Sequence, residues 1–311
     1  MIDNAYSQTL EIIIATHTRL EALKAILDRK PKADFMISGL DRSTLYTYET
    51  MFGVAYLGRN KDNTLPFKRL YRVLKIFSLM KDGFADHPIE LWCNNEYLTK
   101  DIPKDFVYPV NFAPADIEKC YMDSRPADRG GQRVTVERSI CKDGDGEASE
   151  TIVGDDSPGP QAVVENIDTG TDTFDLLRVC CTPRNAVKWR EQPSMSVVRA
   201  TPFAIQGVHI EEFSDFLPTV LTHELSHSER LLGFRKTLDI IGRESAYGFD
   251  EVCYHADHNP KDAIKNADNI AFFAIAMYLR GYDWSTGYNE GMYKKARFGD
   301  ENPPQHSNPE G

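Results

Sequence analysis

Apolar residues recur at helical spacing along three stretches of the chain. Over residues 3–29 the apolar positions recur as in one long amphipathic helix, which Pro31 ends. Residues 64–82 predict a second helix, with Gly83 directly after its end. Residues 262–280 are apolar almost all round, so the third helix is predicted to be buried.

The middle of the chain has a different pattern. Residues 123–172 are rich in Asp, Gly, Ser and Pro, which favours loops and short hairpins over helices. Short strands are predicted at residues 89–93, 133–137 and 162–166. The pattern predicts an α+β fold, dominated by helices, with a small β-sheet and long loops. We divide it into a helical part (1–122), a loop-rich β part (123–212), a second helical part (213–297) and a disordered tail (298–311), with one compact domain overall.

Composition excludes two classes of partner. The 311 residues carry a formal net charge of −11, which argues against nucleic acid and against an anionic membrane surface. No apolar run approaches the 18 or so residues that a bilayer-spanning helix needs. The run at residues 10–15 is short, contains Glu11 and has no basic flank or small-residue cleavage site, so it does not form a signal peptide. If the protein is secreted, its leader is missing from this sequence.

The chain has six cysteines, and no two of them form a C-x-x-C pair. An even number spread over long loops predicts three disulfide bonds in an oxidising compartment. The alternative is a cytosolic enzyme with six reduced thiols. These residues are Cys93, Cys120, Cys141, Cys180, Cys181 and Cys253.

Residues 223–227 carry the most specific chemistry in the sequence. They read His-Glu-Leu-Ser-His and lie in an apolar-periodic stretch with Pro218 in its first turn. One helical turn separates His223 from His227, so both imidazoles can bind a single tetrahedral zinc ion. Glu224 lies beside them, where a carboxylate can take a proton from water. The motif predicts a helix at the centre of a zinc peptidase.

A catalytic zinc ion takes three protein ligands, and the third must come from elsewhere in the chain. The sixth residue after His227 is Gly233, so the spacing of the metzincins is absent. From the residues alone, the candidates for the third ligand are Glu244, Asp250 and Glu251.

A second group of histidines, in the sequence His255-Ala256-Asp257-His258, precedes Asn259-Pro260. We interpret it as a solvated turn rather than a second metal site.

Three motifs in order resemble those of a known family. They are the His-Glu-x-x-His motif, Glu244-x-x-Tyr247-Gly248, and residues 266–269 (Asn-Ala-Asp-Asn) at the start of an apolar helix. Together, over residues 221–279, they are similar to the aspzincins, the deuterolysin and peptidyl-Lys metalloendopeptidase group of secreted, mostly fungal zinc endopeptidases. The resemblance implies a zincin-like metalloprotease fold. It also implies Glu244 as the third ligand, at a place where the family has Asp.

The same resemblance implies roles for two further residues. Tyr247 matches the family's tyrosine, which donates a hydrogen bond to the oxyanion of the tetrahedral intermediate. Asp268 matches an acidic wall of the substrate pocket. In Lys-specific relatives a second acid follows three residues later, where this chain has Ala271. The resemblance therefore implies a preference for cationic or small side chains that is broader than Lys alone.

These inferences predict a secreted, monomeric zinc endopeptidase that acts on proteins or peptides. His223, His227 and Glu244 would hold zinc, Glu224 and Tyr247 would be catalytic, and Asp268 would bind substrate. The alternative is a non-catalytic secreted effector or binding protein that retains a metalloprotease fold. The replacement of Asp by Glu244 favours that alternative, whereas the intact Glu224 argues against it.

Overall fold

A computed structural model shows nine helices within the residues that it describes. Those residues are 2–33, 36–86, 90–92, 98–99, 101–103, 120–124, 134–136, 162–168, 173–179, 189–201, 205–243, 245–279 and 283–289. The helices are α1 (Ile2–Asp28), α2 (Gly39–Phe52), α3 (Thr64–Asp86), α4 (Met195–Ala200), α5 (Leu217–Ser226), α6 (Glu229–Leu232), α7 (Phe249–His258), α8 (Pro260–Ala263) and α9 (Ala267–Tyr278). Two turns of 3-10 helix lie at Ile210–Phe213 and Gly233–Arg235.

Short strands are described between α3 and α4. They are β1 (Glu90–Trp92), β2 (Leu98–Thr99), β3 (Cys120–Asp123), β4 (Val134–Val136), β5 (Ala162–Asp168) and β6 (Thr173–Val179). In one group β6 lies between β5, which is antiparallel to it, and β1, which is parallel. In the other, β3 pairs with β2 and β4, both antiparallel.

The predicted α+β class is wrong, because the part of the chain that forms the core is helical. The residues that form the core lie within 2–86 and 189–289, which are helix-rich and hold no strand among their described residues. Across residues 2–86 and 189–289, every described element is a helix or a 3-10 turn. The short strands predicted at residues 89–93, 133–137 and 162–166 do occur, as β1, β4 and β5, but they lie in the middle of the chain and add no strand to the helical core. The prediction gave these few strands too much weight in assigning the fold class. The predicted tail (298–311) and most of residues 123–172 lie outside the described residues.

The core is organised around α9, in which all twelve residues are buried. Helix α1 packs against α3, α5 and α9, while α2 packs against α7 and α9. Phe273 lies in the middle of α9, where its ring meets those of Tyr48, Phe52 and Phe77 at centroid distances of 5.8, 5.3 and 6.4 Å. Helices from both ends of the chain therefore enclose one helix that is apolar on every side, as the pattern of residues 262–280 predicted.

Two helices differ from the sequence prediction. The pattern did not predict α2, because its Thr and Tyr residues have modest helix propensity; burial of nine of its fourteen residues compensates. The predicted helix at 262–280 is instead divided into α8 and α9. Between them the Lys265 carbonyl accepts a hydrogen bond from Leu238 N at 2.8 Å, so residues 264–266 leave the helical path to meet another segment.

The expected set of three disulfide bonds is also wrong, because it needs all six cysteines. Cys253 is a free thiol on α7. Burial, with the nearby charges of Asp257 and Asp250, raises the pKa of this thiol to about 12. The side chains of the other five cysteines lie outside the described residues. Within the described part, no helix is long and apolar enough to cross a membrane.

Replacing Phe273 with Ala is expected to destabilise the protein by about 3–5 kcal/mol, since it removes a fully buried ring from the centre of the core. Phe234→Ala is the matched control, because the Phe234 ring is exposed and its loss should change stability by less than about 0.5 kcal/mol. Chemical denaturation of both variants measures the difference. Equal stabilities would contradict the central place of α9.

Candidate metal centre

Helix α5 presents the two histidines of the motif on one face. It begins after Phe216, which has no side-chain cap, and Pro218 occupies its first turn as predicted. The helix ends at Ser226, and His227 follows as the C-cap residue with φ −82° and ψ −11°. These angles are still close to helical, so His227 keeps its place one turn beyond His223. The Nε2 atoms of the two rings are 3.2 Å apart.

Asp239 completes a group of three side chains that could hold a metal ion, and the sequence analysis did not predict it. Its Oδ1 atom lies 3.1 Å from His223 Nε2 and 3.4 Å from His227 Nε2. Zinc binds nitrogen and oxygen at about 2.0–2.1 Å, so two ligand atoms of a tetrahedral site are about 3.3–3.4 Å apart. The three distances in this group match that edge closely. The donor set, two imidazoles and a carboxylate around one point, fits zinc.

The three acidic residues proposed as third ligand have different outcomes. Glu244 lies outside the described residues, so its assignment stays a prediction. Asp250 is exposed in the first turn of α7. Glu251 is buried, and its Oε2 accepts a hydrogen bond from Arg243 N at 2.7 Å. Among the described residues, the group that could hold a metal ion contains Asp239 and neither Asp250 nor Glu251.

Backbone hydrogen bonds hold the Asp239 segment, residues 237–240, on two sides. Thr237 N donates to the carbonyl of Ser226 at the end of α5, at 2.8 Å. Leu238 N donates to Lys265 O at 2.8 Å, and its own carbonyl accepts from Ala267 N at 3.0 Å. The segment therefore joins the end of the histidine helix to the start of α9.

Two side chains secure the other end of the segment. Asn266 Oδ1 accepts a hydrogen bond from Ile240 N at 2.9 Å. His255 Nε2 lies 2.8 Å from the carbonyl of Ile240 and donates to it. The interpretation of residues 255–258 as a solvated turn is thus wrong, because they belong to α7 and His255 is buried. This histidine instead helps to fix the position of Asp239.

Each metal-facing imidazole has a partner on its other nitrogen. His223 Nδ1 lies 2.7 Å from Asp268 Oδ1, and His227 Nδ1 lies 3.0 Å from the carbonyl of Thr237. Since both partners are acceptors, each ring donates from Nδ1, and in the neutral form that binds a metal the lone pair of Nε2 faces the centre. Asp268, expected to bind substrate, has its second oxygen bonded to Gly248 N at 2.7 Å.

Tyr247 and Glu224 lie beside the same centre. The Tyr247 hydroxyl donates to Asp239 Oδ2 at 3.3 Å, and its ring centroid is 6.0 Å from that of His223. Burial raises the pKa of Tyr247, and the charges of Asp239 and Glu224 raise it further. The charge of Glu224 also favours protonation of His223. The structure therefore brings His223, His227, Glu224, Tyr247 and Asp268 together, as one cluster.

Burial and hydrogen bonding act in opposite directions on the charges of His223 and Asp239. Burial opposes the charged form of His223, but hydrogen bonds to Asp239 and Asp268 outweigh it and hold the pKa of His223 well above its ordinary value. Burial likewise opposes the charged form of Asp239. Hydrogen bonds to both histidines prevail, so the pKa of Asp239 is lowered.

A second carboxylate supports the turn that carries Tyr247. Glu211 Oε2 accepts a hydrogen bond from Phe249 N at 2.7 Å, next to the bond from Gly248 N to Asp268. Gly248 has φ +98°, a conformation that favours glycine. Burial raises the pKa of Glu211, while the bond from Phe249 opposes that shift. Sequence reasoning missed Glu211, because it lies 36 residues before Tyr247 and belongs to no motif.

The likeness of this chain to known proteins is weak. No protein-family profile matches the sequence, and no curated protein sequence matches it. Among solved structures, a zinc peptidase from Grifola frondosa is similar, with 15% sequence identity and a TM-score of 0.37 over 88% of this chain and 90% of that one. A TM-score this low leaves the functional assignment to the site itself.

Asp239→Ala is expected to weaken zinc binding by at least about 100-fold, because it removes one of three ligands. Asp250→Ala is the control and should retain wild-type affinity, since Asp250 is exposed and outside the group. Zinc competition with a chromophoric chelator measures both. Glu244→Ala belongs in the same series. Loss of zinc with Glu244→Ala but not with Asp239→Ala would transfer the third ligand to Glu244.

Zinc affinity is expected to rise with pH. Only the neutral imidazole binds zinc, and the raised pKa of His223 keeps it protonated above pH 6.5 in the metal-free protein. Between that pH and the raised pKa, displacement of one proton should strengthen apparent binding by about tenfold per pH unit. Calorimetry in buffers of different ionisation enthalpy counts the protons released. An affinity that is constant from pH 6 to 8 would contradict this coupling.

Proposed function

We propose that this protein is a zinc-dependent peptidase with His223, His227 and Asp239 as the metal ligands. The observation that carries the proposal is the set of distances among the three ligand atoms, 3.1, 3.2 and 3.4 Å. The hydrogen bonds from each Nδ1 to a separate acceptor support it, because they orient both rings toward one point.

The proposal agrees with the resemblance to the aspzincins in the type of its third ligand. That family uses Asp, whereas the motif spacing pointed to Glu244. With Asp239 as the ligand, the chain has the family's residue type. The ligand then lies eight residues before Tyr247, whereas in the family it lies three residues before the tyrosine. Glu244 then needs no role in binding the metal.

The metal itself would supply Lewis-acid chemistry, polarising the carbonyl of the peptide bond and acidifying water. Glu224 accepts the proton of the attacking water as the C–O bond forms. It then gives that proton to the amide nitrogen as the C–N bond breaks, so the leaving group departs as an amine. Asp268 and Thr237 hold the two imidazole rings in one tautomer throughout.

Tyr247 is suited to stabilise the charge that develops on the carbonyl oxygen. Its hydroxyl is already within the centre, at 3.3 Å from Asp239 Oδ2, and its ring is about half exposed. A rotation of the side chain would exchange the Asp239 carboxylate for the substrate oxyanion as acceptor. A donor of this kind typically contributes about 10²–10³ in rate.

Glu224→Gln is expected to retain zinc and to lose about three decades of peptidase rate, because it removes the base and leaves the ligands in place. Glu212→Gln makes the same change at an exposed position and should have wild-type rates. Zinc content and hydrolysis of casein or a fluorogenic peptide are measured on both variants.

Activity of Glu224→Gln within tenfold of wild type would show that Glu224 is not the base. A wild-type protein that binds zinc at this site without hydrolysing any peptide would instead favour the alternative, a non-catalytic binding protein that retains the metal centre.

A further inference from the structure

Two buried side-chain amides connect the segment that carries Asp239 to the core. They belong to Asn266 and Asn269, which are both fully buried at the start of α9. The Asn266 Oδ1 atom accepts a hydrogen bond from Ile240 N at 2.9 Å, and its Nδ2 atom donates to Asn269 Oδ1 at 2.8 Å. We name Asn266 and Asn269 the amide relay.

The far end of the amide relay is held by the backbone of two other helices. Asn269 Nδ2 donates to the carbonyl of Met51 near the end of α2, and at 3.1 Å to that of Val252 in α7. The end of α2 also lies against α7 two residues later. Gly53 there has φ +77°, and a side chain at that position would collide with the carbonyl of Ala256.

The groups at its two ends give the amide relay a single orientation. The backbone N–H of Ile240 can only donate, and the carbonyls of Met51 and Val252 can only accept. Each side-chain amide must therefore turn its oxygen toward Ile240 and its nitrogen toward the two helices. A flip of either amide would leave buried polar groups unpaired, which is costly.

The amide relay carries no charge, so its effect on the candidate centre is geometric rather than electrostatic. We propose that Asn266 and Asn269 are positioning residues, which hold Asp239 within reach of both imidazoles by fixing the N–H of Ile240. Asn269 acts on the centre only through Asn266. That the segment holds a zinc ligand rests on the proposed function, whereas the hold on residues 237–240 in the metal-free protein does not.

The first test replaces Asn269 with Leu and follows deuterium uptake of the metal-free protein by mass spectrometry. Gln8→Leu is the matched control, because Gln8 is 5% exposed and its Oε1 accepts a hydrogen bond from Met195 N at 2.6 Å, between α1 and α4. Both variants lose a buried amide and should be less stable to denaturant. Asn269→Leu alone should exchange residues 237–240 faster, by at least about tenfold.

The second test measures zinc affinity by competition with a chromophoric chelator. Asn269→Leu should bind zinc about 10–100-fold more weakly, as is typical when a residue that supports a ligand is lost, while Gln8→Leu should keep the wild-type affinity. Added to Asp239→Ala, the Asn269→Leu change should cost little more, because the ligand that it positions is already gone. Asn269→Ala and Gln8→Ala, which leave room for a water molecule, replace the Leu pair if that pair does not fold.

Unchanged exchange of residues 237–240 in the Asn269 variant would overturn the proposal. Zinc losses from Asn269→Leu and Asp239→Ala that simply add would overturn it as well, because Asn269 would then act by another route than Asp239. Faster exchange in a protein that binds no zinc would sustain the hold of the amide relay on the segment and reject the proposed function.

Discussion

The hydrogen bonds that hold residues 237–240 between α5 and α9 are the constraint on which the candidate centre depends. Without them, Asp239 would be an exposed acid in a loop that follows the histidine motif. With them, one carboxylate oxygen lies within 3.4 Å of both imidazoles. The same bonds interrupt the predicted helix at residues 264–266, so the break between α8 and α9 and the position of Asp239 have one cause.

Asp268 shows why a charge is tolerated in the first turn of an otherwise apolar helix. A buried carboxylate is costly unless each oxygen is hydrogen-bonded. Here the partners are His223 and Gly248, and the carboxylate orients one ring of the centre while fixing the turn beside Tyr247. Loss of this group would leave a buried histidine without its partner, so both stability and metal binding depend on it.

Local patterns in the sequence predicted what depends on local geometry. The long helices α1 and α3, the buried character of α9 and the shared face of His223 and His227 all follow from helical periodicity. The place of Asp239 did not, because the neighbouring residues Leu238 and Ile240 are hydrogen-bonded to Lys265, Asn266 and His255, and no spacing rule predicts those bonds. The helix α2 was missed for a related reason: burial, rather than propensity, stabilises it.

The end of α5 at Ser226 has an electrostatic consequence for the whole centre. The peptide dipoles of a helix leave a partial negative charge, about half an electron, at its C-terminus. His223 lies in the last turn of α5 and His227 caps it, so the ring nitrogens meet where this field is most negative. The backbone of α5 thereby adds to the attraction for a cation without any further acidic side chain. An oxyanion formed at the centre would be repelled by that same field, which leaves its stabilisation to the ion and to a donor such as the Tyr247 hydroxyl.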